Sequence, residues 1–224
     1  MDFLTVLCGR NKQSEIPKPT YELPDEFCYA HDVIDDIVLD IRYAGKHNFV
    51  GDIIDGYLAP YAVMTIHAAE GLKKVAEEFK KMGLRILIFD AYRPQAAVDH
   101  FVRWANDETD MRMKNEFYPE IKQKTLMLTQ GYIAPDSSHC RGSVVDLTLT
   151  DSKGKSLDMG TGFDYFGKRA WHGAEGLSRE QESNRLLLRT CMEKHGFSAY
   201  EKEWWHYKLI DEPFKQNPFN FPVR

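Results

Sequence analysis

The run Val144–Leu149 has the apolar character of a buried β-strand, yet a carboxylate, Asp146, stands in its middle. Seven residues earlier comes His139, set among small polar residues in SSHCRGSVVDLTL (Ser137–Leu149). An isolated buried carboxylate is expensive, so such groups are normally paired, hydrogen-bonded or bound to a cation. A chain that keeps Asp146 in a strand must fold so that a partner meets it there.

A cation meets that need. Zinc takes imidazole and carboxylate ligands, and a catalytic zinc site uses three protein ligands and a water. His139 and Asp146 supply two ligands, and the best third candidate is His206 in the apolar, aromatic EWWHY. The same pentapeptide puts Glu203 three residues before His206, and a carboxylate beside a zinc site can take a proton from water as general base. Residues i and i+3 of a regular strand face opposite sides, so Glu203 is expected at a strand entrance where the chain turns or bulges. Hydrolysis also needs positive charge for the developing oxyanion. Arg93 in DAYRP lies at a sharp strand-to-helix corner, where Pro94 restricts its backbone and Asp90 can orient its guanidinium. Each residue also has an ordinary reading. His139 suits a polar loop, Asp146 a turn, His206 a satisfied core histidine and Arg93 a structural ion pair. Spacing by itself leaves these open.

The remainder of the chain reads as one α+β domain with a mostly antiparallel central sheet flanked by helices. Residues 1–25 look like an extension or linker, and residues 26–224 like the folded domain. A strand is expected over DIVLDIRY (Asp36–Tyr43) and a helix over Tyr61–Met82, stopped by Gly83. LRILIF (Leu84–Phe89) fits a central strand, and a helix with Ala97, Val98, Phe101 and Ala105 on one side follows Pro94. YPEIKQKTLMLTQG reads as a helix. LSREQESNRLLLRTCMEKHG reads as another, with Ser178 and Gln181 spaced as a capping box and Gly196 as the stop. FSAYEKEWWHYKLI closes the core as a strand or hairpin.

Composition narrows the partner. With 29 basic and 34 acidic side chains in 224 residues the net charge is −5 and no basic stripe is visible, which argues against nucleic acid. No apolar stretch reaches the ~20 residues of a membrane span. A small-molecule partner is expected, and the oligomeric state is not legible. Cys8, Cys28, Cys140 and Cys191 are scattered without CxxC spacing, against a cysteine zinc cluster. Cytoplasm and periplasm both stay open. Cys8 is a candidate lipid-attachment residue of a short export signal, although Leu7 before it suits that role poorly.

SSHCRGSVVDLTL together with EWWHY resembles the zinc D-Ala-D-Ala metallopeptidases, whose pattern is Ser-x-His-x-x-Gly-x-Ala-x-Asp followed by Glu-x-x-His. RYAGKHNFVG, DAYRP, MGTGFDYF, EWWHYKLIDEP and FNFPV resemble, in order, the VanX-type D-Ala-D-Ala dipeptidases within that group. The resemblance implies one zinc ion per chain on His139, Asp146 and His206, Glu203 as general base and Arg93 on the oxyanion. It puts Ser137 and Asp164 where relatives hold the charged ends of the dipeptide, with Tyr43 near them. Val144 departs from the pattern's Ala, and its two extra methyl groups are expected to narrow the pocket or shift the strand. Cys140, beside His139, is a rival ligand whose side chain should diverge from the site. A carboxypeptidase or endopeptidase acting on longer wall peptides, and a non-catalytic zinc-dependent binding module, are the alternatives.

Overall fold

The structure is a computed structural model and describes residue 19 and residues 21–224; Cys8 lies outside the described residues. A small sheet pairs β1 (Phe27–Tyr29) with β3 (Val63–Thr65). The main sheet takes β2 (Val38–Leu39), β4 (Arg85–Asp90), β5 (Val144–Thr150), β6 (Phe197–Tyr200) and β7 (Glu203–Leu209) in the order β2-β4-β5-β7-β6. Only the edge pair β2–β4 is parallel; every other pairing of this sheet is antiparallel. The helices are α1 (Ala30–Val33), α2 (Ile66–Lys81), α3 (Gln95–Asn106), α4 (Lys114–Phe117), α5 (Leu126–Thr129) and α6 (Arg179–Lys194). The expected mostly antiparallel α+β architecture is what forms.

Every residue of β5 is buried, because layers cover both of its faces. The long helix α2 buries Ala68, Leu72, Val75 and Phe79 and contacts β4 and α6. Aromatic side chains including Tyr43, Phe49, Phe101, Phe163 and Phe166 form a second cluster, with Phe49 and Phe101 rings 4.8 Å apart. α6 carries the expected capping box, with Ser178 and Gln181 each satisfying the other's backbone N–H.

Three local expectations are corrected. The helix expected from Tyr61 starts at Ile66, because Val63–Thr65 pairs with β1 and the Thr65 hydroxyl then accepts the Ala68 N–H as an N-cap. The strand expected over Asp36–Tyr43 shrinks to Val38–Leu39. After it, Arg42–Ala44 tightens into a 3-10 turn that buries Tyr43. The helix expected over YPEIKQKTLMLTQG is only the single turn α5. Glu108 takes the backbone N–H groups of Lys124 and Thr125 at 3.1 and 3.2 Å, and the Lys124 ammonium lies 4.1 Å from the Trp104 ring centre. These tertiary bonds outweigh weak local helix preference.

The chain's end is part of the core. Phe219 donates its N–H to the Cys140 carbonyl, the Tyr92 hydroxyl donates to the Phe221 carbonyl, and Asn220 accepts the Ala96 N–H at the start of α3. Phe27 meets Tyr92, Phe219 and Phe221 edge-on, and the Tyr92 and Phe221 rings stack. The FNFPV block thereby ties the DAYRP corner to the loop that carries His139.

Candidate active site

One row of backbone pairing builds the centre of the site. Asp90 at the end of β4 pairs with Asp146 on β5, and Asp146 pairs with His206 on β7. A register shift between Ile88 and Asp90 brings the β4 carboxylate into this row. His139 arrives from the 3-10 turn Ser138–Arg141 just before β5. That turn ends at Gly142, with φ of +76°, where a Cβ would overlap the Phe27 ring, so only glycine fits.

Three donor side chains converge there. His139 Nε2 lies 3.3 Å from His206 Nδ1 and 3.4 Å from Asp146 Oδ2, and His206 Nδ1 lies 3.1 Å from Asp146 Oδ1. The other nitrogen of His139, Nδ1, meets the Ala91 carbonyl at 2.7 Å. A carbonyl only accepts, so Nδ1 carries the proton and Nε2 turns a lone pair inward. Asp146 Oδ1 is buried without a hydrogen bond, the kind of orphan a cation satisfies. Donors of a tetrahedral zinc site with bonds of ~2.0–2.2 Å lie about 3.3–3.6 Å apart. The donor set and its spacing fit a zinc ion.

Glu203 is the first residue of β7, and the register shifts between Ala199 and Tyr200 on the facing strand. The turn delivers the Glu203 carboxylate to 3.5 Å from His206 Nδ1, so both members of the i,i+3 pair face one cavity. Arg93 bonds Asp90 Oδ2 through Nε at 3.0 Å and Nη2 at 2.9 Å, and reaches Asp146 Oδ2 at 3.5 Å. Its guanidinium also lies 5.1 Å from the Tyr43 ring centre and 5.2 Å from that of Phe101, which fixes its plane. Tyr43 donates its hydroxyl to Asp164 Oδ2 at 2.9 Å. Asp164 takes the left-handed conformation, φ +60°, a backbone cost of the sort that collects at functional sites.

Asp90, Asp146, Asp164 and Glu203 are all buried around Arg93. Burial, then the charges of Asp146 and Asp164, push the Glu203 carboxyl well above the ordinary range. Burial and Asp146 do the same to Asp164. For Asp146 burial also acts upward, but His139 and His206 outweigh it and hold the carboxyl well below its usual range. This excess of buried acid suits a site that takes up positive charge.

A cavity of about 450 Å³ opens over these groups, within the ordinary range for a small-molecule site. Ser137, Asp164, Tyr43, Arg93 and Glu203 line it together with the three donors. Asp90 lies beneath Arg93 and does not line it. Two expectations about neighbours resolve here. Val144 is fully buried but does not line the cavity, so its methyl groups do not narrow it. Cys140 is buried and stands outside the group of converging donors.

Several further side chains that shape the cavity carry no signal in the sequence. The Tyr57 hydroxyl donates to Asp90 Oδ1 and locks the carboxylate that holds Arg93. Tyr132 and Tyr200 line the cavity, and Tyr200 donates to the Gly131 carbonyl at 3.1 Å, tying the 131–138 loop to the β6 end. Nothing in GYLAP or QGYIAP distinguishes such tyrosines from core aromatics.

Residues 25–224 match the family model described as D-Ala-D-Ala dipeptidase. A D-alanyl-D-alanine dipeptidase of Enterococcus faecalis is 40% identical over 198 residues, 88% of this chain and 98% of the relative. Another of that description from Streptomyces coelicolor is 38% identical over 199 residues, again 88% and 98%. One from Escherichia coli is 32% identical over 177 residues, 79% of this chain and 81% of the relative.

Proposed function

The chain belongs to the D-Ala-D-Ala dipeptidase family of metallopeptidases, and we propose that it hydrolyses the free dipeptide D-Ala-D-Ala to two D-alanines with one zinc ion and Glu203 as general base. The observation that carries this reading is the convergence of His139 Nε2, Asp146 and His206 Nδ1 within 3.1–3.4 Å, with Glu203 beside them. Held by these three residues, a zinc ion would supply Lewis-acid charge and would lower the pKa of water to about 7.

The side chains do the rest. Asp164 meets the dipeptide's ammonium, and Ser137 offers a hydroxyl donor to its carboxylate; Tyr43 steadies Asp164. The Glu203 carboxylate takes a proton from the attacking water as its oxygen bonds to the scissile carbonyl carbon. Arg93, braced by Asp90, stabilises the negative oxygen that results. The C–N bond then breaks and Glu203 returns the proton to the leaving amine. Its raised pKa suits a group that must both accept and donate. Binding both charged ends favours a dipeptide, because a longer peptide leaves one buried polar group unpaired.

The test is turnover of D-Ala-D-Ala and of a stem pentapeptide by purified protein, before and after chelation and zinc return. The expected result is chelator-sensitive, zinc-restored release of D-alanine from the dipeptide alone. An intact dipeptide with full zinc loading would overturn the reading, and preferred cleavage of the pentapeptide would replace it with a carboxypeptidase.

A further inference from the structure

Among the described residues a second group of ligand-type side chains converges away from the cavity, at the contact between α2 and α6. Glu78 comes from α2, Cys191 and His195 from α6 and its C-cap. One ligand atom of each lies within 4.8 Å of the others. Cys191 and His195 are four residues apart, the spacing that puts two side chains on one helix face. None of the three lines the cavity.

We propose that Glu78, Cys191 and His195 form a second metal site, selective for a thiophilic divalent ion such as zinc or cadmium, which staples α2 to α6. Thiolate, imidazole and carboxylate are the zinc donor types, and thiolate excludes hard ions such as magnesium and calcium. Two contacts now hold the carboxylate: Glu78 Oε2 accepts from His195 Nε2 at 2.9 Å and from Lys194 Nζ at 2.8 Å. Metal uptake replaces both. The imidazole proton shifts from Nε2 to Nδ1, the Cys191 thiol releases its proton to solvent, and Lys194 swings away. The Lys194 side chain is 60% exposed, so that exchange loses little. Cys191 is 3% exposed while His195 and Glu78 are partly open, so the ion enters from the solvent side with the thiolate beneath it.

Cobalt(II) is the probe, because zinc is spectroscopically silent and the cavity's donors are nitrogen and oxygen only. Metal-free protein titrated with cobalt should show a thiolate-to-cobalt charge-transfer band that is complete by two equivalents, the other equivalent going to the cavity's donors. The band should persist in His206→Ala, vanish in Cys191→Ser, and need on the order of 10- to 100-fold more cobalt in Glu78→Gln. Cys191→Ser should keep the wild-type dipeptide turnover. No band in the wild type, or a band unchanged in Cys191→Ser, overturns the site. Should Cys191→Ser fail to fold, Glu78→Gln decides alone: an unshifted titration overturns the proposal. The band is read without substrate, so it stands or falls separately from the proposed peptidase activity.

Discussion

Asp146 and His206 are directly paired residues of neighbouring antiparallel strands, and Asp146 Oδ1 lies 3.1 Å from His206 Nδ1. Sixty residues of sequence separate them, but the β5–β7 register leaves no freedom in their meeting. Extending the same row across β4 adds Asp90, the brace of Arg93. Two of the three proposed metal ligands and the carboxylate that braces Arg93 are therefore set by one line of backbone hydrogen bonds, and a slip of one residue in any of these strands would turn one of these side chains to the wrong face.

Glu203 lies beside this row without belonging to the three converging donors. Glu203→Gln should keep its full zinc content and lose turnover of D-Ala-D-Ala by about 10²–10⁴-fold, the usual contribution of a general base. Metal analysis and a D-alanine release assay on the same sample check both halves. Zinc loss in this variant would make Glu203 a ligand.

Arg93→Lys should lower kcat by about 10²–10³-fold with little change in zinc content. Lysine keeps the charge but not the two-point grip on Asp90 Oδ2 or the stacking between Tyr43 and Phe101. Steady-state kinetics decide: a wild-type kcat would show that a bare positive charge is enough.

Val144→Ala should leave KM for the dipeptide unchanged, because the side chain is packed outside the cavity. Removing two buried methyl groups should destabilise the fold by about 1–2.5 kcal/mol. Urea unfolding and KM measured together separate the effects, and a clear KM shift would show that the β5 strand itself moves.

His172 gives a pH signature. Burial, reinforced by Arg189, holds its pKa down at about 4, and its buried Nε2 has no hydrogen-bond partner. Below its ordinary value of 6.5 the unfolded chain takes a proton that the folded protein refuses until about pH 4. Stability should therefore fall as pH drops through that window, with His172 contributing about 1–2 kcal/mol of the loss after allowance for its partial solvent access. His172→Phe should flatten that part of the pH dependence. Identical slopes of unfolding free energy against pH in both proteins would contradict it.

The site was more legible than the fold around it. His139, Asp146, Glu203 and His206 carry their chemistry in short motifs, and a carboxylate in an apolar run already demands a partner. The strand-entrance position of Glu203 followed from the two-residue period of a strand. Expectations failed where distant partners decided local structure. Glu108 breaks the helix pattern at Lys124, and pairing with β1 turns Val63–Thr65 from helix to strand. Tyr57 and the Ala91 carbonyl were invisible for the same reason: their roles exist only through Asp90 and His139, which lie far along the chain or act through backbone.

Anomalous diffraction at the zinc edge from crystals of zinc-loaded protein tests the central claim most directly. The account predicts a strong peak enclosed by His139 Nε2, His206 Nδ1 and the Asp146 carboxylate, at about 2.0–2.2 Å from each and distinct from any peak at the α2–α6 contact. Zinc-loaded crystals with no peak at that position would contradict it.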